Sequence, residues 1–256
     1  MPQDNWHFIQ RLFEYKKQAV GAHGLHSPFV YRLYTEYIRK KRKHLSTEIE
    51  QLRKTSQRSK QEIIVTDFKS GITRTKKLRE EAKSSPSQAT FSAFLGQLLD
   101  YINADCVLET GTSLGFNALY LAQSSVKEVW TLEGNPSIAE IAADHFARMK
   151  AHKIKLKTGN IHETFEASLQ DSGADVIFLD ADHRSVATAK FMNMITPHLS
   201  RIKCIIIHDI YWSKDMTNIW QELVADTRFP MTIDIFQAGL LFPNQKLEKQ
   251  HFVVKF

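Results

Sequence analysis

Three segments of this 256-residue chain place carboxylates, glycines and amides where a small ligand can be held. In VLETGTSLGFNALYLA (107–122), Glu109 closes an apolar run, Gly111 and Gly115 make a turn, and a helix-forming stretch follows. Glycines let a ligand approach the backbone closely, and the free N–H groups of a helix N-terminus attract a carboxylate or phosphate. The spacing is not G-x-G-x-x-G, which argues against a dinucleotide, and there is no G-K-[ST], which argues against a P-loop. Glu133, in TLEGNP, ends the next apolar run, where a carboxylate is placed to accept both hydroxyls of a ribose; a nucleoside ligand is expected. GNIHETF (159–165) follows a third run, and its Asn160 could reach an adenine edge. Two later runs end in acids and imidazoles, with Asp180 and His183 in FLDADHR (178–184) and His208 and Asp209 in IIIHDIYW (205–212).

Something must bring these run ends together. Short apolar runs at 106–109, 129–133, 154–157, 175–180 and 202–209 alternate with helix-length segments at about 115–124, 136–150, 161–170, 184–196 and 213–227. Alternating strand and helix gives a parallel sheet covered on both faces, whose ligand site forms beyond the carboxyl ends of the strands. The expected fold is α/β, Rossmann-like and doubly wound. Residues 231–242 and 251–256 have no helix between them and are expected as antiparallel additions at one sheet edge.

The first 86 residues read differently. Residues 1–44 predict two amphipathic helices, one with Trp6, Ile9, Phe13 and Val20 at helical spacing, the other starting at Ser27-Pro28 with Val30, Leu33, Tyr34, Tyr37 and Ile38 as its stripe. Residues 45–86 are polar, with one β-like run (62–68) and a closing loop at 84–87, and are read as a lid, an arm or a loose connector. The predicted domains are thus a helical and basic extension over 1–86 and a ligand-binding domain over 87–256, with residues 87–102 as the latter's first helix.

Composition excludes whole classes. With 43% hydrophobic and 24% charged residues, disorder, collagen and coiled coil are ruled out. No apolar run is long enough to span a membrane, and the start MPQDNWHFIQRLF lacks the pattern of a secretory signal. Cys106 and Cys204 both fall in apolar runs and are read as free core thiols, so a cytoplasmic location is expected. Residues 39–83 carry fifteen Lys/Arg against six Asp/Glu, a local +9, so the rest of the chain is at −3 within a total of +6. Such a block suits a solvated helix end or a phosphate-bearing partner.

Taken together, E-T-G-T-x-x-G, the later Glu133, Gly159-Asn160 and FLDAD occur in the order and spacing of class I S-adenosylmethionine-dependent methyltransferases, which residues 87–256 resemble. The resemblance implies a mainly parallel seven-stranded sheet with an antiparallel edge strand. It also implies that the loop of Glu109, Gly111 and Thr112 holds the methionine part of S-adenosylmethionine. Gly115 and Asn117 would then face its carboxylate, Glu133 its ribose and Asn160 its adenine, with Asp180 close to the cofactor or acceptor.

Within that family the chain is most similar to the divalent-metal-dependent O-methyltransferases of catechols and caffeoyl thioesters. The resemblance puts Asp180 at their first metal position and His183 at the position of their lysine base. His208 and Asp209 fall where their Asp-Asn pair completes the metal site. Imidazole in place of oxygen donors moves the expected ion away from Mg²⁺. A histidine base suits neutral pH. The implied partner is a small hydroxylated acceptor, with Tyr211 and Trp212 either gripping a planar one or packing their loop. Alternatives are an RNA acceptor held by the basic 39–83 segment, and a non-catalytic cofactor-binding protein whose N-terminal helices form a homodimer interface.

Overall fold

A computed structural model of the chain describes residues 5–66, 71–84, 87–243 and 248–256. Asp67 and Phe68 of the predicted run, and Ser85 and Pro86 of the predicted loop, lie outside the described residues. The chain forms two compact units, one from the segment ending at Arg39 together with Ala174–Phe256, the other from Lys40–Gly173.

The first unit begins with α1 (Asn5–Gln18), the expected helix with an unexpected buried side. Trp6, Ile9 and Phe13 are 77%, 54% and 65% exposed, whereas His7 is buried with Nε2 2.9 Å from Thr217 Oγ1. Phe8 and Tyr15 set their rings 5.2 and 5.1 Å from Phe236, and the Tyr15 hydroxyl donates to the Val254 carbonyl at 2.6 Å. Apolar periodicity picks the other stripe because it gives no weight to a hydrogen-bonding imidazole or a phenol. The second helix starts as expected, with Ser27 Oγ accepting from Val30 N and Pro28 in the first turn of α2 (Pro28–Arg32). It runs on as a π-helical turn through Leu33–Ile38, and the wider winding puts both of those residues, five apart, in the core.

In Lys40–Gly173 the basic zone is part of the packed unit, not a loose connector. Ser46 caps α3 (Thr47–Ser56), whose Ile49 is buried. The Tyr120 hydroxyl donates to Glu50 at 3.0 Å and accepts from Ser46 N at 3.3 Å, and the Arg53 guanidinium lies 4.6 Å over the Phe116 ring. The β-like run is β1 (Glu62–Thr66), paired antiparallel with β2 (Thr73–Lys77), and α4 (Leu78–Ser84) follows. Next come α5 (Ala89–Tyr101), β3 (Cys106–Thr110), α6 (Phe116–Ala122), β4 (Glu128–Glu133), α7 (Pro136–Arg148), β5 (Ile154–Thr158) and α8 (Ile161–Ser172). The strands β3, β4 and β5 are parallel, with Glu109 opposite Thr131 and Glu133 opposite Thr158. Every residue of β3 is buried, as a strand covered on both faces must be.

The first unit resumes with β6 (Val176–Leu179), α9 (Ser185–Ile195), β7 (Cys204–His208), α10 (Lys214–Ala225), β8 (Met231–Asp234), β9 (Ala238–Phe242) and β10 (Gln250–Val253). Its strands lie in the order β6-β7-β9-β8-β10. Two expectations are corrected. The segment 231–242 is a hairpin rather than one strand, giving, among the described residues, five strands here and three parallel ones in the other unit instead of seven. The Asp234 carboxylate accepts from Phe236 N at 2.7 Å and Phe236 takes φ +68, a turn made without glycine or proline. The antiparallel strand is β9, set between β7 and β8, while the outermost strand β10 runs parallel to β8. Gly239 of β9 makes room for α10, since a Cβ there would lie 2.3 Å from the Trp220 ring.

The α/β class and the N-terminal helices are thus as expected. Both cysteines are free and buried, and burial pushes the Cys204 thiol far up from its ordinary pKa. Among the described residues no helix is long and apolar enough to cross a membrane.

Candidate active site

In Lys40–Gly173 the predicted ligand loops lie at the carboxyl ends of β3, β4 and β5. Gly111 N and Thr112 N both donate to the Leu132 carbonyl, at 2.9 and 3.1 Å, tying the first loop to the end of β4. Glu109 is wholly buried and accepts from Asn117 Nδ2 and Thr131 Oγ1, each at 2.6 Å. Thr112 Oγ1 lies 2.7 Å from Thr131 Oγ1, so two hydroxyls run from the loop to this carboxylate. Gly115 caps α6 at φ +80, where a Cβ would meet the Phe146 ring at 2.4 Å. Only glycine fits there.

Glu133 bridges two loops. Its Oε2 accepts from Ser113 N at 2.8 Å and its Oε1 from Asn135 N at 2.9 Å. Burial pushes its carboxyl above the ordinary range, against these amides, which favour the charge, and with Glu81 adding like-charge repulsion. Asn160 caps α8 by accepting from His162 N at 3.1 Å, and its Nδ2 donates to Glu163 at 2.9 Å.

Three participants escaped the sequence reading: Ser113, Thr131 and Asn135. Thr131 was accessible in principle, since a strand residue two before Glu133 shares its face. Asn135 has no such signal. In the amide orientation that satisfies both of its ends, it donates to the Ile64 carbonyl at 3.1 Å and accepts from Thr66 N at 2.7 Å, anchoring β1 beside the Glu133 loop.

In the first unit, β6 and β7 deliver the acids and imidazoles to one place. His208 Nδ1 is 2.6 Å from Asp180 Oδ1, and Asp209 Oδ2 is 3.7 Å from both His208 Nδ1 and His183 Nε2. Burial works against a charged His208, but the carboxylates of Asp180 and Asp209 outweigh it and raise its pKa to about 9. The turns that aim these groups are tight, with Asp182 at φ +50 and Asp209 at φ +54. Arg184 pairs with Asp182 through two contacts of 2.5 Å, holding the loop before α9. Trp212 sets its ring 5.8 Å from His183, while Tyr211 turns away to stack on Phe236 and donate to Asp234.

Asp234 is buried, and burial raises its pKa to about 6 despite its bonds to Tyr211 and Phe236 N. A carboxyl raised in the folded state binds its proton more tightly there than in the unfolded chain, so stability falls as pH rises from about 4 to about 6. The fall is on the order of 3 kcal/mol at 1.36 kcal/mol per unit. Urea unfolding at both ends of this window is expected to show that slope in the wild type and its loss in Asp234→Asn. Equal slopes in both proteins would remove Asp234 as the cause.

Residues 53–233 match a family model described as O-methyltransferase. No curated protein matches the chain. Among solved structures, an O-methyltransferase from Bacillus cereus in complex with SAH is 18% identical, with 64% of this chain and 88% of that one covered and a TM-score of 0.51. A putative caffeoyl-CoA O-methyltransferase from Staphylococcus aureus is 19% identical, with coverage of 80% and 96% and a TM-score of 0.58. An SAH-bound methyltransferase from Podospora anserina is 14% identical, with coverage of 96% and 98% and a TM-score of 0.56. These likenesses carry the fold.

Proposed function

The chain belongs to the O-methyltransferase family, and from that premise we propose that it moves the methyl group of S-adenosylmethionine to a hydroxyl oxygen of a small acceptor. The observation that carries this reading is the convergence of Asp180, His183, His208 and Asp209 at the ends of β6 and β7. A hydroxyl must lose its proton to become a competent nucleophile, and the carboxylates or His183 can take it. The oxygen then attacks the methyl carbon in line, the carbon–oxygen bond forms as the carbon–sulfur bond breaks, and the sulfonium leaves as the thioether of S-adenosylhomocysteine.

On the cofactor side, Glu133 accepts the ribose hydroxyls and Asn160 the adenine edge. Gly111, Thr112 and Gly115 shape the turn for the amino-acid end. Glu109 and Asn117, already bonded to each other, act by holding that turn. The anchoring of β1 on Asn135 supports a role for the 1–86 extension in selecting the acceptor. A cytoplasmic site of action agrees with the two buried free thiols.

The cluster also fits a divalent cation by its donor chemistry, since Asp180, His183 and His208 bring donor atoms within 4.8 Å of one another. An ion held there would lower the pKa of an acceptor hydroxyl.

A thermal-unfolding scan of the full-length chain with S-adenosylhomocysteine tests the reading. At about 100 times its dissociation constant the ligand adds roughly 2.7 kcal/mol, which raises Tm by about 5–11 °C for a chain of this size. No shift would overturn the assignment.

A further inference from the structure

The glycine turn after β3 is anchored on two sides, and one anchor leads back to α3 in the basic zone. Gly111 at φ +86 and Gly115 at φ +80 give the turn little stiffness of its own, since glycine loses the most conformational freedom on ordering. Glu133 holds the turn at Ser113 N. On the other side, α7 sets two consecutive residues against it. The Phe146 ring fills the space beside Gly115, and the buried His145 imidazole has Nδ1 2.8 Å from the Leu114 carbonyl. We propose that His145 is the positioning residue of the cofactor turn, and that through Ser56 it makes α3 part of the cofactor-binding machinery. The proposal rests on the methyl-transfer reading and extends it to residues outside the turn itself.

The proton positions follow from the partners. A carbonyl only accepts, so Nδ1 of His145 carries the hydrogen and donates it to Leu114. Burial holds the imidazole below its ordinary pKa, so the ring is neutral and Nε2 is left as an acceptor. Its partner is Ser56 Oγ at 3.3 Å, on the last residue of α3, whose hydroxyl has the Leu52 carbonyl at 3.1 Å as its other acceptor. The same helix sends Arg53 over the Phe116 ring at 4.6 Å, and the His145 ring stacks on that Phe116 at 5.4 Å. Serine, imidazole and carbonyl thus form one buried line from α3 to the turn. Fixing the Leu114 carbonyl fixes the plane of the peptide it shares with Gly115, whose N–H closes the turn on the Thr112 carbonyl at 2.9 Å. A turn ordered in advance spares the ligand the cost of ordering it on binding. The contribution is therefore to cofactor affinity and not to the methyl-transfer step.

The test is isothermal titration of the full-length chain with S-adenosylhomocysteine. Asparagine can put an amide N–H near the position of Nδ1, glutamine near that of Nε2, and phenylalanine keeps a ring with neither. His145→Phe and His145→Gln are expected to weaken binding about tenfold, the scale of one buried hydrogen bond, whereas His145→Asn should stay within about threefold of the wild type. Ser56→Ala is expected to cost about threefold alone and nothing further in His145→Phe, because both act on one line. Hydrogen exchange of the wild type needs no variant, and S-adenosylhomocysteine should slow it over residues 53–58. Equal losses in all three His145 variants, an affinity indifferent to residue 145, or additive effects of residues 56 and 145 would each overturn the proposal. So would ligand-bound wild type whose residues 53–58 exchange as before. A wild type that binds no S-adenosylhomocysteine overturns the methyl-transfer reading instead.

Discussion

Asp180→Asn is expected to lower the rate of methyl transfer by about 10²–10⁴-fold, the range for losing a positioned acid–base group. The change keeps the shape of the side chain and removes its charge. Asp180 lies 2.6 Å from His208 Nδ1 and is the largest influence raising that imidazole against the cost of its burial. Without it the nearby carboxylate is the more distant Asp209, at 3.7 Å, and the pKa of His208 falls. The charge balance that lets the cluster accept a proton or hold a cation is then lost. The proposed cofactor loops after β3, β4 and β5 belong to Lys40–Gly173, so stabilisation by S-adenosylhomocysteine is expected to stay near the wild-type value. The measurement is S-adenosylhomocysteine release across a panel of hydroxylated acceptors, alongside the thermal shift. An Asp180→Asn protein with full turnover would remove the cluster from the reaction.

Where the sequence was legible, one local rule sufficed. Strands buried on both faces, such as β3 and β7, read as continuous apolar runs, and one N-terminal helix carries its own start at Ser27-Pro28. The glycine turn after Glu109 and the carboxylate at Glu133 stand at strand ends, where this architecture puts its ligands. What escaped depends on more than one element. The strand TRTKK exposes its first three residues and survives by pairing with β1, so no hydrophobic alternation announces it. The break in 231–242 comes from a side chain, since Asp234 holding Phe236 N does what a glycine does elsewhere. The buried side of α1 is set by Thr217 and Phe236, more than two hundred residues away. The same holds in the site. Asn135 matters because β1 lies against it, and His183 joins Asp180 and His208 because β6 and β7 are parallel neighbours. Register across strands turned scattered residues into a cluster, and spacing along the chain does not encode register.

Glu133→Ala is expected to weaken S-adenosylhomocysteine binding by about a hundredfold or more, because the carboxylate has two tasks. It is the proposed acceptor of the ribose hydroxyls, and it also satisfies Ser113 N and Asn135 N at 2.8 and 2.9 Å. Removing it leaves two amides without their acceptor, each at a cost of about 1–3 kcal/mol if they stay dry. It also removes one of the ties between the loops after β3 and β4, leaving the bonds of Gly111 N and Thr112 N to the Leu132 carbonyl. Glu133→Gln separates the tasks, since its one carbonyl oxygen can serve one amide while the charge is gone. An intermediate loss is expected for it. Acid should act in the same direction. Burial holds the Glu133 carboxyl above the ordinary range, so the wild type is expected to lose affinity on acidification at a higher pH than an exposed glutamate would. Glu133→Gln, having no proton to gain, should lack that loss. Isothermal titration of wild type and both variants between about pH 5 and 8 reads all of this, in a range above the ordinary glutamate value of about 4.3. An affinity that ignores the side chain at 133 would show that the nucleoside is held elsewhere, whereas a pH-dependence that survives Glu133→Gln would assign the proton to another group.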